Sequence, residues 1–144
     1  MELRVDTRPF AKIESEALVS YVFEQEKPAG GVLGVVDQAA GGALSKLSAS
    51  GEMTGKMLEM TLLYYPPGLA AQRLLVVGAG KKEKFGTAEL RRIAAAAVRH
   101  LKTRQVKTLA FLAREGEHSA GAAQAITEGL VLANFDSDKY KTEK

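Results

Sequence analysis

The chain has 144 residues, 46% of them hydrophobic and 26% charged, which is the size and balance of a single soluble domain with one cooperative core. It has no cysteine, which excludes disulfides, thiolate nucleophiles and sulfur-ligated metals and leaves a cytoplasmic location as the expectation. The net charge of +3 permits weak association with nucleic acid or anionic surfaces without requiring it.

The N-terminus, Met1 to Asp6, alternates charged and apolar residues, so it reads as a half-exposed strand over Leu3–Asp6 and not as a secretory signal. Ala17 to Phe23 is a short run rich in β-formers and predicts a second strand, closed by the loop residues Pro28-Ala29-Gly30-Gly31. From Val36 the period changes. Val36, Ala40, Ala43, Leu44 and Leu47 fall on one helical face, which predicts a single helix running through Gly41 and Gly42. Leu58 to Tyr65 then reads as a strand with both faces largely covered, stopped by Pro66-Pro67-Gly68.

The strongest unit follows. Leu74-Leu75-Val76-Val77 is the continuous apolar run of a central strand buried on both faces. Gly78-Ala79-Gly80 turns the chain, Lys81 to Gly86 form a charged loop, and Thr87 is the candidate N-cap of a helix with Glu89 in its first turn. Leu90, Ile93, Ala94, Ala97, Val98 and Leu101 keep helical spacing, and Val106 to Leu112 supply the next buried strand, which completes a βαβ unit. A last helix begins near Ser119 and places Ala122, Ile126, Leu130 and Ala133 on one face. The fold class expected is α/β: a mixed, mostly parallel sheet of about five or six strands between helices. Residues 1–133 form the domain, and the polar segment 134–144 reads as the start of a linker.

Residues that could carry chemistry are few. His100 is expected on a helix surface near its C-terminus, where a positive charge suits the dipole, and His118 in a charged loop; no second His stands at metal-ligand spacing from either. Asp136 and Asp138 form a D-x-D in the polar tail, but no EF-hand glycine or distal glutamate follows. No serine lies in a G-x-S-x-G setting. Gly78-Ala79-Gly80 follows a buried strand as a dinucleotide loop does, yet Glu83 stands where the third glycine belongs, so a plain tight turn competes with phosphate binding there. Lys81, Lys82, Lys84, Arg91, Arg92, Arg99, Lys102 and Arg104 form a local basic surface with Phe85 as its one aromatic, readable as a solvated helix face or as a nucleic-acid contact. No catalytic, cofactor-binding or metal-binding residue is assigned.

From Gly51 to Lys141 a succession of short pieces resembles the N-terminal domain of the leucyl (cytosol) aminopeptidase family. These are Gly55-Lys56, Tyr64-Tyr65-Pro66-Pro67-Gly68, Arg73 to Gly78, Thr87-Ala88-Glu89-Leu90-Arg91, Glu128-Gly129-Leu130, Asn134-Phe135-Asp136 and Lys139-Tyr140-Lys141. The resemblance implies a macro-domain-like three-layer sandwich. It also implies a parent enzyme that releases N-terminal amino acids from peptides with two divalent metal ions, zinc or manganese. In such a parent the C-terminal catalytic domain of the same polypeptide holds the metals in segments such as N-T-D-A-E-G-R, and the enzyme assembles as a homo-hexamer. No such segment occurs in this chain, so the implied role is that of a non-catalytic accessory domain. The alternatives are a free-standing macro-like module holding a nucleotide or ADP-ribose in the loops near Gly30-Gly31-Val32 and Gly78-Ala79-Gly80, against which stands the lack of an Asn-Ala pair to grip a ribose, or a basic nucleic-acid-contacting domain.

Overall fold

A computed structural model describes residues 2–6, 15–112 and 124–130. In chain order the elements are β1 (Glu2–Asp6), β2 (Ala17–Val22), α1 (Gly31–Ala39), α2 (Ala43–Ser50), β3 (Met60–Tyr64), β4 (Arg73–Gly78), α3 (Thr87–Lys102) and β5 (Thr108–Leu112). A further helical segment covers 124–130. The five strands form one sheet in the order β1-β5-β2-β4-β3, parallel throughout except for β3, which runs antiparallel to β4.

The alternation of side chains along the central strands divides the interior in two. Ala17, Val19, Tyr21 and Phe23 from the β2 segment join Leu75, Val77, Leu109 and Phe111 beneath α3 and Ile126 and Leu130. Leu18 and Val22 turn the other way and pack with Leu74, Val76, Ala110 and Leu112 against Leu33, Val36 and Leu44 of α1 and α2. Helices on both faces of a mostly parallel sheet make the three-layer arrangement expected from the sequence. The spacing read for α3 holds in full: Leu90, Ile93, Ala94, Ala97, Val98 and Leu101 are all buried.

Several local expectations are corrected. The helix expected through Gly41 and Gly42 is two helices, because both glycines take the left-handed conformation (φ 72° and 79°) and turn the chain between them. The first of the pair starts at Gly31, a residue expected in the loop. The second has no cap from its own N-cap residue, Gly42; instead Asp37, buried in α1, accepts the Leu44 amide (2.7 Å), the Ser45 amide (3.2 Å) and the Ser45 hydroxyl. The strand β3 is shorter than expected and half-buried at the sheet edge, since Leu58 (φ 65°) and Tyr65 (φ 52°) bend the backbone at either end. Gly86, not Thr87, is the N-cap of α3, with no side-chain cap bond.

His100 lies in the last turn of α3 as expected, but half-buried, and the positive charge expected there is disfavoured. Its Nε2 is buried without a hydrogen-bond partner. Desolvation, aided by the Arg104 charge, holds its pKa below the ordinary 6.5, so the ring is neutral at pH 7. His118, Ala122, Ala133, Asp136, Asp138 and the segment 134–144 lie outside the described residues.

Candidate functional site

Open α/β sheets bind ligands beyond the carboxyl ends of their strands. In this chain the ends of β2 and β4, the two central neighbours, meet there at Val22 and Gly78. The chain itself crosses that end. A strap from Thr54 to Glu59 is bonded to the end of β4 and the turn beyond it: Gly78 donates its amide to the Glu59 carbonyl (2.7 Å), Leu58 donates to the Gly78 carbonyl (2.8 Å), and Gly80 donates to the Gly55 carbonyl (2.8 Å).

The glycines make this approach possible. A Cβ at Gly78 would stand 1.8 Å from the Lys56 carbonyl oxygen, and one at Gly55 would stand 2.5 Å from the Phe23 carbonyl oxygen. Gly55 is also held at φ 81°. A single carboxylate fastens the strap: Glu59 accepts the Thr54 amide (2.8 Å), the Thr54 hydroxyl (2.6 Å) and the Gly55 amide (3.0 Å). Partial burial by itself would raise the Glu59 pKa. The bonds from Thr54 and Gly55, with the Lys56 charge, outweigh that and bring it below 4.5.

These contacts decide how the Gly78-Ala79-Gly80 turn is used. Ala79 donates to the Val22 carbonyl (2.8 Å), so all three amides of the turn are bonded to the protein's own carbonyls. A phosphate cradle needs free amides pointing at the ligand. The geometry is that of a tight turn, and Glu83 lies exposed in the short 3₁₀ turn Lys82–Lys84 beyond it.

Open hollows remain at this end. One, of about 310 Å³, is lined by Glu24, Met57, Gly80, Lys81, Lys84 and Arg92 among others, and mixes both signs of charge. A second, of about 320 Å³, is lined by Val22, Phe23, Thr54 and Gly55 among others. A third, of about 570 Å³, lies along α1 beside Gly30, Gly34 and Gln38.

The basic residues are spread along the surface. Lys81, Lys82, Lys84, Arg92, Arg99 and Arg104 are exposed, whereas Arg91 is paired with Glu128 at 3.2 Å. Arg92 and Arg99 stand two turns apart on α3, roughly 10 Å along its axis. The aromatic that could have stacked on a base is committed elsewhere: Phe85 lies over Tyr21 with ring centroids 5.4 Å apart and meets Phe23 edge-on at 5.0 Å. It pins the lysine-rich turn to the core.

Nor do the carboxylates converge. Among the described residues, no three His, Cys, Asp or Glu side chains stand where they could share a metal ion. Glu16 accepts the Lys107 amide, Glu26 the Phe23 amide, Glu59 holds the strap and Asp37 caps α2. A two-metal centre needs several carboxylates aimed at one point, and the described residues do not fit one. No described helix is long and apolar enough to cross a membrane.

A macro-domain-like α/β domain whose strand ends are covered by its own chain is therefore the class that fold and site define. The sequence pattern of the cytosol aminopeptidase family, N-terminal domain, matches residues 19–144. The chain belongs to that family and forms its N-terminal domain. It is 42% identical over 142 residues to the probable cytosol aminopeptidase of Solibacter usitatus, covering 99% of this chain and 27% of that protein. To the cytosol aminopeptidase of Pseudomonas aeruginosa it is 32% identical over 148 residues, covering all of this chain and 30% of the relative. The chain thus spans under a third of the length of these curated relatives. Among solved structures, a tomato leucine aminopeptidase variant superposes with a TM-score of 0.71 at 22% identity, over 92% of this chain and 28% of that one. The macrodomain of Mycobacterium tuberculosis DarG superposes with a TM-score of 0.66 at 16% identity, over 91% of this chain and 88% of that one. Both likenesses concern the fold.

Proposed function

We propose that this chain is a non-catalytic accessory domain of a metal-dependent aminopeptidase that releases N-terminal amino acids, leucine among them, from peptides in the cytoplasm. The observation that supports this reading is the strap: Thr54 to Glu59 crosses the end of β4 and takes the Gly78 and Gly80 amides, while the Ala79 amide goes to Val22, so no amide of the turn is left for a ligand. The family membership supplies the parent activity. Residues 134–144, rich in charge, lead from this domain toward the catalytic one, and the two divalent ions, zinc or manganese, belong to that following domain of a hexameric parent.

The test is an assay of the 144-residue chain on a leucyl amide substrate with manganese or zinc added. No turnover is expected. Turnover that rises with chain concentration and vanishes on chelation would overturn the reading. Calorimetry with ADP-ribose addresses the macro-like likeness separately: no heat of binding is expected, and a saturable isotherm would return the sheet end to ligand duty.

A further inference from the structure

We propose that the hollow of about 310 Å³ between the Gly78 to Gly80 turn and α3 binds a small zwitterion, a free α-amino acid, and holds it through side chains alone. This site goes beyond the accessory-domain reading and does not rest on it.

In an open α/β sheet a crevice forms where two neighbouring strands send their outgoing connections to opposite faces. The strands β2 and β4 are such neighbours, parallel and paired from Ala17↔Arg73 to Val22↔Gly78. The chain leaving β2 enters α1, whose Leu33 and Val36 pack on the face of Leu18 and Leu74. The chain leaving β4 enters α3, whose Leu90 and Ile93 pack on the other face with Val19 and Leu75. The strap crosses this crevice over the end of β4. What it leaves open toward α3 is the hollow, with Met57 of the strap in its wall.

The rest of the wall is charged. Lys81 and Lys84 stand three residues apart in a 3₁₀ turn, which brings their side chains to one side. Glu89 and Arg92 are likewise three apart on α3, so they are neighbours on its surface. Glu24 is tied to the turn by its amide, which donates to the Gly80 carbonyl (2.9 Å). Three cations and two carboxylates thus line one hollow. Among the described residues, none of these five side chains forms an ion pair or a hydrogen bond. Even Glu89 and Arg92, placed to pair with each other, do not.

That pattern selects the ligand. A phosphate would meet two carboxylates and none of the three turn amides, all of which are bonded within the protein. A simple cation would meet three positive side chains. A molecule with both an ammonium and a carboxylate matches each sign: the ammonium toward Glu24 and Glu89, the carboxylate toward Arg92 and the two lysines. Its side chain then lies on Met57, the one large apolar group of the wall. Small-molecule sites span roughly 300–1,000 Å³, and a hollow at the bottom of that range suits an amino acid better than a nucleotide.

Titration of the 144-residue chain with L-leucine, followed by amide chemical shifts, tests this. Saturable shifts at Met57, Gly80 and Glu89 are expected, with a dissociation constant on the order of 0.1–10 mM for so small a ligand. N-acetyl-leucine lacks the ammonium and leucinamide the carboxylate; each should bind roughly tenfold more weakly, because one set of charges is left unmatched. Glu24→Gln should weaken leucine roughly tenfold and leave N-acetyl-leucine unchanged, whereas Arg92→Gln should weaken leucine and leave leucinamide unchanged. Glu24 is half-buried and Arg92 exposed, so thermal unfolding should stay the same in both variants. The absence of a saturable shift up to about 50 mM leucine would overturn the proposal. So would N-acetyl-leucine or inorganic phosphate bound as tightly as leucine, which would mark a plain anion site. Shifts confined to residues away from the hollow, or binding indifferent to both substitutions, would overturn it as well.

Discussion

The two faces of the sheet are covered by different means. Over one lies α3, sixteen residues without interruption, burying seven of its side chains against an aromatic interior of Tyr21, Phe23, Phe85 and Phe111. Over the other lie α1 and α2, nine and eight residues long, packed on leucine and valine and separated by two left-handed glycines. A helix of sixteen residues is positioned by its own apolar stripe. Two helices of about two turns each are too short for that, and their angle is fixed by a polar clamp, the Asp37 carboxylate on the Leu44 and Ser45 amides. One cover is held by area, the other by a few directional bonds.

If this contrast is right, truncating the interior should hurt the α3 face most. Ile93→Ala, at a fully buried position, is expected to cost about 2–5 kcal/mol in urea unfolding. A loss near 1 kcal/mol would mean that α3 is held by something other than its stripe. At the sheet end where the two covers meet, Gly78→Ala forces the strap off the Lys56 carbonyl and is expected to cost about 1–3 kcal/mol. Faster amide exchange at Leu58 and Gly80, confined to the strap, would confirm where the cost arises. On the α1–α2 face, Asp37→Ala should cost about 0.5–2 kcal/mol, and exchange at Leu44 and Ser45 should accelerate ahead of any amide in α3.

The smallest effect is a pH response. His100 has its folded pKa depressed by desolvation and by Arg104. Above 6.5 both folded and unfolded chains hold it neutral, and this group adds no pH dependence. As the pH falls below 6.5 the unfolded chain takes up a proton that the folded one resists, so stability declines through the folded pKa. His100→Gln should flatten the unfolding profile below pH 6.5 relative to the parent chain. An unchanged profile would show that Nε2 reaches water.

What could be read from the sequence follows the same division. Uniform periodicity was legible: the Leu74 to Val77 run and the Leu90 to Leu101 stripe each announce their element, because local pattern and tertiary burial agree there. The break at Gly41-Gly42 was not, since the apolar spacing of Val36, Ala40, Leu44 and Leu47 continues across it. What turns the chain is a carboxylate whose partners lie seven and eight residues away. The strap escaped for a similar reason. Nothing near Gly55 or Gly78 says that each is small to admit the other's neighbourhood, a relation between residues 23, 55, 56 and 78 that exists only in the folded chain. Glu59 likewise looked like one polar residue in an alternating strand, while its role comes from reaching back to Thr54. Phe85 looked like a lone aromatic among lysines, and its partner Tyr21 lies 64 positions earlier.

The pairing of β1 with β5 carries a consequence for how the chain is made. Glu2 lies beside Thr108 and Asp6 beside Leu112, so among the described strands the earliest in sequence bonds to the latest. The middle strand β2 in turn needs β5 along one side and β4 along the other. Until about residue 112 has been made, β5 can neither pair with β1 nor close its side of β2. Such long-range closure slows folding relative to chains built from local contacts. During synthesis the N-terminal strand must wait, and the charges of Glu2, Arg4 and Asp6 give it a reason to stay soluble while it does.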